Sequence, residues 1–164
     1  MSHFFPSAEY AEDQPLARII LATHVLSRGF QLGTAVGLLS SSAEALNKSQ
    51  SIISPILLRS AGAGGAIGAG ITGIGLIAHM WGRGEIEWKD RSWRLRYNSD
   101  QLAIDNWGEP AAALGVLTVV LRRPSGVAMG GWRRLVGGAG IGSLVGVVGC
   151  MFARRMFLSQ NRQT

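Results

Sequence analysis

Cysteine is nearly absent from this chain, with Cys150 alone among 164 residues. That excludes an internal disulfide framework and a cysteine zinc site. Charge is scarce too. Asp, Glu, Lys and Arg make up 16%, against about 25% in a soluble domain. There are only 5 Pro and no strict three-residue glycine period, which excludes collagen. His3, His24 and His79 are scattered, and no HExxH, Walker loop or Cys/His cluster occurs. Met1–Pro15 has no Lys or Arg but holds Glu9, Glu12 and Asp13, so it reads as neither a secretory signal nor an Arg-rich mitochondrial presequence. What the chain has in excess is glycine. It carries 23 Gly, roughly twice the usual share. Hydrophobic residues reach 47% and mean hydropathy is +0.21. The glycines sit inside apolar runs, which argues against disorder and for close helix packing in an apolar setting. The net charge of +6 suits an anionic membrane surface, nucleic acid or a large assembly.

Two apolar runs are long enough to cross a membrane alone, which takes about 20 residues. Ser60–Gly82 has no formal charge and lies between Arg59 and Arg83. Leu135–Ala153 lies between Arg133, Arg134 and Arg154, Arg155. Two further runs are compromised. Ile19–Leu39 contains His24 and Arg28, and Ala111–Leu121 must draw in residues from about Ala103, including Asp105 and Glu109. The reading is an all-α membrane protein with four transmembrane helices, near 18–40, 60–82, 103–121 and 132–153. They form one membrane domain, 18–155, between a polar tail 1–17 and a tail 156–164. The alternative keeps two spans and lays the other two segments on the surface as amphipathic helices. In the four-span reading, Arg28 is expected to pair with Asp105 or Glu109 inside the bundle, because an intramembrane charge usually faces a partner.

The glycines recur every four residues: Gly29, Gly33, Gly37; Gly64, Gly68; Ala111, Gly115; and Gly138, Gly142, Gly146. Such spacing places small residues on one helix face, where another backbone can approach. A dinucleotide-binding turn needs a preceding strand and a βαβ unit, and neither context is present around Gly62–Gly68 or Gly138–Gly142.

The segment 83–107 is the polar middle loop. Ile86 and Trp88, then Trp93, Leu95 and Tyr97, alternate with polar residues, a pattern that predicts a short β-hairpin. Trp88, Asp90, Arg91, Trp93, Arg94 and Trp107 are the expected partner-contact residues, since Trp favours interfaces. Near-balanced charge in this loop argues against nucleic acid. Arg122, Arg123, Arg133 and Arg134 suit a lipid phosphate, cardiolipin for example. Simple interfacial anchoring is the competing role. No base and orienter accompany a Ser or Cys nucleophile, and Cys150 reads as a small packed residue. The reading is a non-enzyme with no cofactor and no metal.

The Gly29/Gly33/Gly37 stripe, the glycine-rich segment after Arg59 and the Gly138/Gly142/Gly146 stripe resemble a superfamily of four-span, glycine-striped proteins of the mitochondrial inner membrane. That superfamily includes preprotein translocase channel subunits and an accessory subunit of respiratory complex I. The run Glu87-Trp88-Lys89-Asp90-Arg91-Ser92-Trp93-Arg94-Leu95, with Asn98, Gln101, Asp105 and Trp107, looks like the middle loop of fungal supernumerary membrane-arm subunits of complex I. The resemblance covers about residues 16–155. It implies a non-catalytic accessory subunit in the mitochondrial inner membrane, with other membrane-arm subunits and phospholipid as partners. The alternative is a component of a preprotein translocase or a small transporter, with a polar groove lined by Arg28, Gln31 and Asp105. Counted from Gly82 to Gly108, a loop of about 27 residues departs from the translocase pattern and favours the structural role.

Overall fold

A computed structural model describes residues 5–47, 54–122 and 131–160. Among these residues, five α-helices follow a short 3-10 turn at Ala11–Asp13: α1 (Ala17–Asn47), α2 (Pro55–Met80), α3 (Glu85–Tyr97), α4 (Ser99–Leu121) and α5 (Gly131–Gln160). Local chemistry sets several boundaries. Ser54 caps α2 by accepting from the Leu57 N–H at 3.4 Å, and Pro55 occupies the first turn, where its missing N–H removes no helix bond. Gly82 turns the chain out of α2 with φ +71°, a conformation that disfavours a side chain. Asn98 closes α3 and opens α4. Its N–H reaches Leu95 O at 3.2 Å, and its Oδ1 accepts from the N–H groups of Asp100 and Gln101, both at 3.1 Å.

Two expectations from the sequence are corrected. The hairpin is absent: Glu85–Tyr97 is a single helix, and no strand occurs among the described residues. Glu85 and Glu87 stand in its first turn and Arg94 and Arg96 in its last, which favours a helix through the macrodipole. Arg83–Glu87 at 3.3 Å and Asp90–Arg94 at 3.0 Å add i,i+4 pairs. The four-span arrangement is also overturned. Among the described residues two helices are long and apolar enough to cross a membrane, Pro55–Met80 and Gly131–Met156. In α1, Arg18 and Arg28 and a polar end from Ser40 interrupt the apolar run; in α4, Asp100, Asp105 and Glu109 occupy the first half.

The helices meet backbone to backbone. In the α1–α2 seam, a Cβ added at Gly33 would overlap the Gly64 carbonyl and one at Gly37 the Ser60 carbonyl, and one at Gly29 would lie 2.6 Å from the Gly68 oxygen. Rising numbers on α1 meet falling numbers on α2, so the pair is antiparallel. The α4–α5 seam repeats this logic, with Gly115 against Gly138 and Gly142, and Gly146 against the Trp107 carbonyl. A third contact sets Gly62 of α2 against the Arg133 carbonyl of α5, and Gly137 against Leu58. Close approach replaces side-chain interdigitation here, as small-residue interfaces do.

The apolar core is correspondingly thin. Its buried members are Ala17, Ile20, Leu57, Leu58, Ala61, Met80 and Cys150. Ile67, Ile71, Ile74 and Ile77 of α2 are all exposed. Only 17% of the apolar window of α2 is buried within the chain. A surface so apolar needs cover from lipid or other protein.

Candidate functional site

The most polar interior of the molecule lies where α1, α4 and α5 converge. On α1, His24, Arg28 and Gln31 follow i, i+4, i+7 spacing and share one face. On α4, Gln101 and Asp105 are one turn apart, and Ser143 comes from α5. The Arg28 guanidinium donates from Nη2 to Asp105 Oδ1 at 2.7 Å and to Gln101 Oε1 at 3.1 Å. Its Nη1 donates to Gln31 Oε1 at 2.8 Å. The other carboxylate oxygen of Asp105 lies 3.1 Å from His24 Nδ1. Gln31 Nε2 extends the chain of bonds to Ser143 Oγ at 2.8 Å. The Asp105 side chain is 4% exposed and that of Arg28 23%.

Every element of this cluster has a reason. A carboxylate this buried needs a cation and further donors, or its desolvation outweighs what folding gains. Arg28 meets that need as a fork, shared among three acceptors. Gly108 leaves the room: a Cβ there would come within 3.2 Å of Gln31 Nε2 and 3.4 Å of Ser143 Oγ. The network spans three helices and so fixes their relative positions. As chemistry it is an internally matched hydrogen-bond set. Arg28, Gln31, Asp105 and Ser143 bond to one another and to His24 and Gln101. Among the described residues, no three His, Cys, Asp or Glu side chains gather as a metal site would need.

The structure brings Arg28 and Asp105 together, and Glu109 lies one turn further along α4, half-buried. Sequence reasoning gave Ser143 no role, met Gln101 only within the family likeness, and counted His24 as one of three scattered histidines. The i, i+4 spacing of Gln101 and Asp105 was a usable signal. Ser143, inside a glycine stripe, carried none.

The tryptophan-rich segment, expected as a contact loop, is largely helix α3, and it also holds the N-terminal residues. Trp93 Nε1 and Tyr97 OH each donate to the Ala8 carbonyl at 3.3 Å. Lys89 Nζ donates to Glu12 O at 2.7 Å, and Arg96 Nη2 to Phe5 O at 2.6 Å. These donors hold residues 5–14 as a strap along α3, with Gln14 buried at its end. Trp93 and Tyr97 stack with ring centroids 4.4 Å apart. Trp88 is half-buried beneath the Arg18 guanidinium, 5.6 Å from the ring centroid. Arg91 and Arg94 remain exposed, with Asp90 paired to Arg94. Trp107 belongs to α4, not to a loop, and is 51% exposed.

Of the expected phosphate-binding arginines, Arg122 ends α4 and Arg133 and Arg134 open α5. Arg133 stacks over Trp132 at 5.6 Å. Arg123 lies outside the described residues.

Among the described residues, a buried hydroxyl of α1 is unmatched. Thr34 Oγ1, in a fully buried residue, has no hydrogen-bond partner. It is wedged between Gly65 of α2 and Gly140 of α5, where any Cβ would collide with it.

A family model described as "Protein of unknown function (DUF1757)" matches residues 1–156. The chain belongs to the DUF1757 family. A search of curated proteins returned no match. The match takes in the strap, both glycine seams and the Arg28–Asp105 network of this DUF1757 member.

Proposed function

We propose that this DUF1757 chain is a non-catalytic accessory subunit of the membrane arm of mitochondrial respiratory complex I, acting in assembly and stability. The observation that carries the reading is the pairing of rigid internal seams with uncovered apolar faces. Gly33–Gly64 and Gly115–Gly138 contacts lock the helices, while Ile67, Ile71, Ile74 and Ile77 look outward. Such a body offers apolar surface to lipid and to neighbouring subunits. The sequence likeness of Glu87–Leu95 to complex I membrane-arm subunits supplies the named complex. In this reading redox centres and proton pumping belong to the neighbours.

The test is purification of the respiratory complexes followed by mass spectrometry. The chain is expected to co-purify with complex I, and deletion is expected to lower the amount of assembled complex. Its absence from purified complex I sinks the proposal. The transport alternative draws on the polar Arg28–Asp105 cluster. It requires that cluster to open to water, and its mark is lost preprotein import with complex I intact.

A further inference from the structure

A narrow slot of 390 Å³ runs beside the C-terminal end of α2. Leu21 and Val25 of α1 and Leu76 and Met80 of α2 form its aliphatic walls, and His79 and Arg91 stand at one end. From Thr72 to Met80 the slot follows α2 for about 12 Å, taking 1.5 Å of rise per residue. The α2 helix is one of the two able to cross a membrane, and the slot opens where that helix ends. Trp81, next in sequence, is 80% exposed, the position an interfacial Trp takes at headgroup level.

Arg91 is set apart from the other cations around α3. Arg83 pairs with Glu87, Arg94 with Asp90 and Arg18 with Glu85, while Lys89 and Arg96 hold strap carbonyls. Among the described residues, the Arg91 side chain makes no ion pair or hydrogen bond. It is exposed and lines both this slot and the shallow cleft formed with Ile86, Glu87, Asp90 and Arg94. The two acids of that cleft already have their own arginines.

We propose that this slot binds an anionic phospholipid, with the phosphate on Arg91 beside His79 and one acyl chain between α1 and α2. The charge fits, because an uncommitted guanidinium pairs with a phosphate through parallel N–H···O bonds. The depth also fits, because the aliphatic walls run from the end of the span toward its middle. The proposal rests on the membrane reading given above, and the experiment separates the two.

The full chain is reconstituted in phosphatidylcholine nanodiscs doped with phosphatidylglycerol, and lipid retained after extraction is counted by native mass spectrometry. The wild-type chain is expected to retain phosphatidylglycerol over phosphatidylcholine. Arg91→Gln should weaken retention about fivefold, as expected for removing one cation near an anionic surface. Gly75→Phe should abolish it by filling the slot, since a side chain at Gly75 meets open space and leaves the fold intact. Arg94→Gln, which removes an arginine already paired with Asp90, should retain the lipid. Equal retention by the wild type and both slot variants overturns the proposal. So does competition by glycerol phosphate as effective as that by the intact lipid. A chain that fails to enter the nanodiscs overturns the membrane reading and the lipid site together.

Discussion

Replacing Asp105 by Ala tests the polar cluster most directly. The carboxylate lies 2.7 Å from Arg28 Nη2 and 3.1 Å from His24 Nδ1, with its side chain 4% exposed. Truncation leaves the Arg28 charge 23% exposed, facing only the carbonyl groups of Gln31 and Gln101. Removing one partner of a buried pair costs about 3–5 kcal/mol, because the survivor keeps its desolvation penalty. For a domain of this size that lowers the unfolding midpoint by about 6–20 °C, taking roughly 2–4 °C per kcal/mol. The double substitution Arg28→Met with Asp105→Leu removes both charges and both penalties. Well-packed apolar replacements of buried pairs are often neutral or stabilising. The double variant is therefore expected within about 1 kcal/mol of the wild type, giving a coupling of about 3 kcal/mol or more between the sites. The assay is thermal unfolding of the detergent-solubilised chain, followed by circular dichroism for the wild type, Arg28→Met, Asp105→Leu and the double variant as the cycle, with Asp105→Ala measured beside them. Additive losses in the double variant would refute the reasoning, as would an Asp105→Ala loss within about 0.5 kcal/mol, the range of an ordinary surface change.

The glycines divide by what a Cβ would meet. Gly33→Leu forces the α1–α2 backbones apart and is expected to cost more than about 3 kcal/mol, at the severe end for overpacking. Gly70→Ala meets open space inside a helix and should stabilise by about 0.5–1 kcal/mol; the same unfolding scan reads both. Thr34→Val removes the unmatched hydroxyl and should gain about 1 kcal/mol, and a loss of similar size would mean that Oγ1 has a partner in solution. Trp93→Ala takes away one donor to Ala8 and half of the Trp93–Tyr97 stack, so limited proteolysis should cut within residues 5–14 faster, with the helices left intact. Cys150, 1% exposed, should resist maleimide in the folded chain and react fully once unfolded.

The glycine spacing carried much of the fold in plain view. Four-residue stripes on Gly29–Gly37 and Gly138–Gly146 correspond to the seams where backbones touch, because a missing Cβ has one geometric consequence in a helix. The middle segment was misread for a physical reason. Ile86/Trp88 and Trp93/Leu95 alternate over too few residues to separate a period of 2 from one of 3.6. Two other signals in the same segment pointed to a helix. Lys89-Asp90-Arg91-Ser92 lacks the Gly or Asn that a hairpin turn demands, and the acids precede the arginines as a helix dipole prefers. The span count failed because small-residue stripes report helix packing, whereas crossing a membrane depends on summed apolarity. Arg28 and Asp105 lower that sum while strengthening the packing. The strap was illegible, since its donors and carbonyls are 77–91 residues apart and leave no local pattern.

That strap has a consequence for the order of events during synthesis. Phe5, Ala8 and Glu12 leave the ribosome early, but Lys89, Trp93, Arg96 and Tyr97 are made more than 70 residues later. Until then the N-terminal segment has only its local Gln14 bonds to Pro6 and Ala8, and α1 and α2 can already have met through glycine. Closure of the strap therefore marks a nascent chain elongated past Tyr97. Protease should therefore cut within residues 5–14 readily in stalled chains shorter than this, and slowly once α3 has folded and the strap is tied to it.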